Sequence, residues 1–281
     1  MTIRISQDRG NAIANIFAKS KVLIGMIHCP PLPGSPRYTS QSIDEISERA
    51  SEDARELLDG GFDGLMIENH GDIPFLKPDE IGHETTASLA VIADRLRTTF
   101  SVPIGINVLA NAALPALAVA KAAGAQFVRV NQWANAYVAN EGIVEGEAAR
   151  ALRYRAMIGA RDVAVFADAH VKHGAHAIVG DRSIPELVRD VEFFDADAVI
   201  ATGQRTGDSA TMDEIETIRS ATDLPVMVGS GVTPDNVAAI LERVDGVIVA
   251  SSLKQDGVWW NPVEAARVRA FVDAARPVSG R

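Results

Sequence analysis

The chain has 281 residues, 47% hydrophobic and 23% charged, a balance that suits a water-soluble fold with a large core and excludes a disordered or fibrous chain. Lysine and arginine number 27 against 37 acidic residues, for a formal charge of −10; without a basic excess to release counterions, general nucleic-acid or anionic-membrane binding is excluded. The single cysteine, Cys29, excludes an intramolecular disulfide and a CxxC site.

In chain order, residues 9–20 are expected to form a short helix with Ile13, Ile16 and Phe17 on one face. A strand follows at Val22–Ile27, and then the proline-rich loop HCPPLPGSPRY. Ser42 to Glu45 reads as a capping box that opens a helix running through Leu58, and Gly60 and Gly61 end it. The next strand is Gly64–Glu68, with Leu89, Ile92 and Leu96 marking its helix. Pro103–Val108 pairs with a helix carrying Leu114 and Leu117, and Phe127–Asn131 leads through a long loop to a helix around Leu152 and Ile158. Val163–His170 is followed by a second capping box, Ser183 to Glu186, opening a helix that buries Leu187, Val188 and Val191. Ala198–Thr202 precedes a helix with Met212, Ile215 and Ile218.

The last two units are the most informative. Val226–Val228 opens into Gly229, Ser230 and Gly231, with Thr233 as an N-cap and Pro234 at the first helical position. Val237, Ile240, Leu241 and Val244 share that helix's apolar face. Val247–Val249 then opens into Ala250, Ser251 and Ser252, and a final helix starts near Asn261 and Pro262 and closes around Phe271.

Strands and helices alternating eight times argue for an α/β chain folded as a single (β/α)8 barrel with a short N-terminal helix across its floor. An open doubly wound sheet would carry its phosphate loop after the first strand, where this chain is proline-rich. No linker divides the chain, so residues 1–281 read as one barrel domain. No run of about 18 apolar residues and no signal-peptide core occurs, which predicts a cytoplasmic protein without membrane insertion.

Such barrels bind phosphate on backbone N–H groups of the loops after the last two strands. Gly229, Ser230, Gly231, Ala250, Ser251 and Ser252 are therefore the expected phosphate-binding residues. Catalytic groups come from the C-terminal strand ends, where His28, Glu68, Asn107, Asn131, Asp168, His170 and Thr202 stand. Side-chain alternation puts Glu68, Asn107, Asn131, Asp168 and His170 on interior faces, opposite apolar residues that can pack on helices. Arg129 shares that interior face, so a structural Glu68–Arg129 salt bridge is the alternative for Glu68. An interior carboxylate and imidazole are costly unless paired or functional, which singles out Asp168 and His170. Lys172 and Arg205 sit in the loops that follow, either as anion contacts or as solvated charges.

Six stretches carry a family resemblance: GMIHCPPLPGSPRY at 25–38, DGLMIEN at 63–69, DAHVKH at 168–173, TGQRTG at 202–207, GSGVTPDN at 229–236 and SSLKQDG…NPV within 251–263. Through them the chain resembles the BtpA/SgcQ family over nearly its whole length. The resemblance implies a fold like the ribulose-phosphate-binding barrels. Some members are associated with photosystem I accumulation and others with sugar-metabolism gene sets, so it implies no one reaction. Cys29 departs from the family pattern, which has an aliphatic residue there, usually leucine.

The leading expectation is an enzyme for a small phosphorylated metabolite such as a sugar phosphate. Proton transfer of the isomerase, epimerase or lyase type would fall to Asp168, His170 and Glu68. His28, Arg37, Asn107, Asn131, Lys172, Thr202 and Arg205 would contact the substrate, Arg37 from a stiff loop of Pro30–Tyr38 at the mouth. The alternatives are a non-catalytic binding or assembly factor and a metal-dependent hydrolase, whose divalent cation would sit on Glu68, Asp168 and His170. The oligomeric state is open, a homo-oligomer included.

Overall fold

The computed structural model describes residues 10–203 and 210–279. Eight parallel strands close into a barrel: β1 Val22–His28, β2 Gly64–Glu68, β3 Ile104–Asn107, β4 Phe127–Val130, β7 Ala164–Asp168, β8 Ala198–Ala201, β9 Val226–Val228 and β10 Gly246–Val249. Between β4 and the next helix the chain makes an antiparallel hairpin outside the barrel, β5 Ala136–Ala139 and β6 Gly142–Glu145. The helices are α1 Ala12–Phe17, α2 Ile43–Asp59, α3 His83–Thr99, α4 Ala113–Ala123, α5 Ala148–Met157, α6 Ile184–Phe193, α7 Met212–Ala221, α8 Val237–Leu241 and α9 Ala265–Ser279. Among the described residues no helix is long and apolar enough to cross a membrane.

Two apolar layers follow from strand alternation. Outward residues such as Leu23, Leu65, Ile104, Val165 and Val247 pack under the helices. Inward residues, among them Ile24, Met66, Phe127, Phe166, Met227 and Ile248, fill the barrel's lower half. The Phe127 and Phe166 rings stack with centroids 4.7 Å apart, and Phe17 of α1 meets Phe127 at 5.8 Å. The N-terminal helix thus plugs the floor, and the site described below lies at the opposite rim.

Local signals explain most boundaries. At α2 the Ser42 side chain accepts from the Glu45 N–H while the Glu45 carboxylate accepts from the Ser42 N–H, the expected capping box. The second box does not form: Ser183 caps α6 without a side-chain bond, and the Glu186 N–H donates to the Ser183 carbonyl instead. The expected strand to His170 stops at Asp168, because the chain bends out of the ladder at Ala169 and His170. The helix expected from Pro234 is also shorter. Residues 234–236 form a turn in which Asn236, not Thr233, precedes α8, and the Asn236 side chain accepts from the Thr233 N–H at 2.8 Å.

Candidate functional site

Strand register assembles the site. His28 pairs with Glu68, Glu68 with Asn107 and Asn107 with Arg129, so one row of polar side chains crosses β1 to β4 inside the rim. The next carboxylate, Asp168 at the end of β7, is gripped by Arg129 through Nε at 2.9 Å and Nη2 at 3.0 Å, and by the Asn131 amide at 3.1 Å. Both members of this ion pair are buried, with Asp168 3% and Arg129 5% exposed. The Glu68–Arg129 bridge, the alternative for Glu68, gives way to Asp168–Arg129.

Glu68 faces a different set. Its Oε1 accepts from His70 Nδ1 at 2.7 Å and lies 3.7 Å from His28 Nε2, while its Oε2 accepts from the Asn107 amide. Burial opposes its charge, but the hydrogen bond and charge of His70 outweigh that, with His28 and Arg129 adding; the carboxyl is held well below the usual carboxylate range. His28 is pushed down to about 3 by burial and then by His70. Its Nδ1 faces the Trp259 carbonyl at 3.2 Å. A carbonyl only accepts, so Nδ1 carries the hydrogen and Nε2 keeps its lone pair. The His28 and His70 rings stack at 4.5 Å, and Trp259 and Phe75 meet His70 edge-on.

These groups open into a cavity of about 540 Å³ at the rim. Gly229, Ser230, Gly231, Ala250, Ser251 and Ser252 line it as well, from the loops after β9 and after β10, the strand that pairs with β1. Gly231 has φ of +64°, which glycine adopts without strain. The Asn236 amide donates to the Gly231 carbonyl at 3.0 Å and the Ser252 hydroxyl to the Val232 carbonyl at 2.8 Å, so the two loops are braced together. The Gly231 and Val232 N–H groups find no acceptor among the described residues. With α8 and the turn at Ser251–Leu253 so short, any anion here rests on loop N–H groups rather than on a helix end. Lys172 supplies the nearby cation, its Nζ 3.2 Å from Ser230 Oγ. Burial, then Arg129, pushes the Lys172 ammonium down to about 8, against the pull of Glu68 and Asp168.

His28, Glu68, Asn131 and Lys172 thus line the cavity, whereas several expected residues do not. His170 lies beyond the strand, its ring 3.8 Å from that of His176, which stacks in turn on Tyr137. The proposed cation set of Glu68, Asp168 and His170 is consequently broken up: Asp168 is committed to Arg129, and His170 is outside the lining. Asn107 sits below the cavity as a donor to Glu68. Thr202 braces a loop, donating to the His170 carbonyl at 3.0 Å and accepting from the Lys172 N–H at 3.1 Å. Arg37 is exposed and its proline-rich loop is not part of the lining, because the chain there packs back on Gly71, with the Leu32 N–H donating to Asp72 at 2.8 Å. Arg205 lies outside the described residues.

Four contributors went unnoticed in the sequence: His70, Phe75, Tyr137 and Trp259. For His70 a signal existed, since Glu68–Asn–His70 repeats the carboxylate–x–histidine pattern of Asp168–Ala–His170. Tyr137 comes from the hairpin, whose two-residue connection, Asn140 and Glu141, precedes Gly142 at φ +97°.

The family model for the BtpA family matches residues 19–277. The chain belongs to the BtpA family. An uncharacterized Archaeoglobus fulgidus relative is 43% identical over 256 residues, covering 91% of this chain and 99% of its own. The Synechocystis photosystem I biogenesis protein BtpA is 37% identical over 260 residues, 92% of this chain and 89% of its own. Among solved structures, (S)-3-O-geranylgeranylglyceryl phosphate synthase from Thermoplasma acidophilum, bound to sn-glycerol-1-phosphate, superposes with a TM-score of 0.57 at 12% identity, covering 96% of this chain and 97% of its own. At that identity the likeness shows the barrel alone, which this BtpA-family chain shares.

Proposed function

We propose that this barrel is an enzyme acting on a small phosphorylated metabolite, a sugar phosphate or a related compound, by proton transfer of the isomerase, epimerase or lyase type. The observation that carries the reading is that two unlike sets of groups open on one cavity: loop N–H groups with no acceptor among the described residues beside Lys172, and the Glu68 carboxylate bonded to His70. A phosphate fits the first set, where the Gly231 and Val232 N–H groups and the Ser230 hydroxyl would hold it and Lys172 would offset its charge. The Thermoplasma barrel, solved with sn-glycerol-1-phosphate, is an example of this fold taking a phosphorylated ligand.

In the other set the roles differ from the sequence expectation. A carboxylate held as low as Glu68 accepts protons poorly; its part is to orient His70 through the hydrogen bond at Nδ1. His70 is then the proton carrier. Asp168 organises Arg129 and Asn131 rather than meeting substrate.

The test is a thermal-shift screen of phosphorylated carbohydrates, followed by turnover assays on those that bind. A ligand at a hundred times its Kd raises stability by about 2.7 kcal/mol. Gly231→Val, which fills the anion's approach, should weaken binding at least tenfold, about 1.4 kcal/mol, while far-ultraviolet circular dichroism stays native. Unchanged affinity in the folded variant would sink the phosphate assignment. The name of the Synechocystis relative, a photosystem I biogenesis protein, favours a second reading, a non-catalytic assembly factor, which requires binding with no turnover of any ligand found.

A further inference from the structure

We infer that His28, Glu68 and His70 form a binding site for one first-row divalent transition-metal cation. One potential ligand atom from each residue lies within 4.8 Å of the other two. The inference adds a cation to the acid–base groups of the proposed active site; it needs no phosphate binding and is tested apart from it.

The polarity of the group suits a cation. With the hydrogen on His28 Nδ1 taken by the Trp259 carbonyl, the Nε2 lone pair points at Glu68 Oε1 across 3.7 Å with no proton between them. Two acceptors facing each other are a poor arrangement until a cation lies between them. With metal–nitrogen and metal–oxygen bonds of about 2.0–2.2 Å, a tetrahedral angle spaces such a pair at roughly 3.4 Å, close to the gap observed.

The outer support suits a cation too. Ligand histidines usually donate their other ring N–H to a carbonyl or carboxylate, and ligand carboxylates are themselves hydrogen-bonded. His28 has the Trp259 carbonyl, and Glu68 Oε2 has the Asn107 amide, leaving Oε1 turned toward the histidines. The Asn107 Oδ1 atom is buried without a partner among the described residues, so this amide is held in place by its contact with Glu68.

Donor type decides the class of ion. Two imidazoles and one carboxylate favour zinc, iron or cobalt over magnesium or calcium, which take oxygen donors. Three protein ligands leave positions open to the cavity, the arrangement of a catalytic rather than a structural centre. Binding has one structural requirement. The His28 and His70 rings are stacked at 17°, and a cation lies in the plane of each ring it binds, so His70 must turn out of the stack. Its side chain is 20% exposed and is the more accessible of the two. As a ligand His70 no longer carries protons, so a bound cation and the proton transfer proposed above are alternative uses of this ring.

The experiment uses full-length protein stripped with chelator, then equilibrium dialysis against Zn²⁺ and titration with Co²⁺ followed by visible absorption; no phosphorylated compound is present. One equivalent of Zn²⁺ should be retained, Co²⁺ should give ligand-field bands, and Mg²⁺ should displace neither. Glu68→Gln and His70→Ala should each weaken Zn²⁺ binding at least 100-fold. Asn107→Ala should weaken it 10- to 100-fold, as outer-support changes do. His83→Ala, on an exposed turn of α3, should leave it unchanged. Circular dichroism identifies variants that fail to fold, and His70→Ala, altering the accessible ring, provides the folded case. Absence of saturable binding, or binding indifferent to both Glu68→Gln and His70→Ala, overturns the site. Either result leaves the phosphate test standing.

Discussion

Replacing Asp168 with asparagine separates a structural carboxylate from a catalytic one. The change keeps the shape but removes the charge opposing Arg129, and its amide nitrogen cannot accept one of the two guanidinium bonds, at 2.9 and 3.0 Å. Arg129 stays cationic and buried, with Glu68 as the remaining carboxylate in its field. Breaking a buried pair by removing one partner typically costs about 3–5 kcal/mol, a large part of a native stability of about 5–15 kcal/mol. Urea unfolding should show the midpoint falling by that energy divided by an unchanged slope. Replacing both partners, Asp168→Leu with Arg129→Met, should cost less than the sum of the single changes, since no charge is stranded. A loss under about 1 kcal/mol in Asp168→Asn would refute the structural reading and return Asp168 to the acid–base candidates.

Three further outcomes follow from the same geometry. Lys172, lowered to about 8, is charged below that pH and neutral above it, so affinity for inorganic phosphate should fall as pH rises through 8 and lose this dependence in Lys172→Met, measured by calorimetry. Burial and then His176 lower His170 to about 4; from its ordinary value of 6.5 down to 4 the unfolded chain binds a proton that the folded one refuses. His170 therefore makes stability decline as pH falls through that window, and His170→Gln should flatten the decline in urea midpoints. Phe17→Ala, emptying the floor beneath Phe127, should cost about 3–5 kcal/mol of stability while leaving ligand affinity at the far rim within twofold.

The alternation of apolar runs and the parity of residues 66 and 68, 105 and 107, and 166 and 168 determined the barrel and its polar interior in advance. Both are local properties: backbone geometry sends alternate side chains to opposite faces wherever a strand stays in its ladder. The same rule failed at His170, because the chain had left the ladder two residues earlier. The two glycine- and serine-rich loops were legible for a similar reason, as their small residues and the positive φ at Gly231 are set within a few bonds. Tertiary structure alone decided the partners. Arg129 had a choice of two interior carboxylates, and only the barrel's register put it on Asp168 and left Glu68 to the histidines. Trp259, 231 positions from His28, reaches it because the last strand closes against the first. Contacts across such separations depend on how the sheet shuts, and no periodicity within a single strand or helix records that.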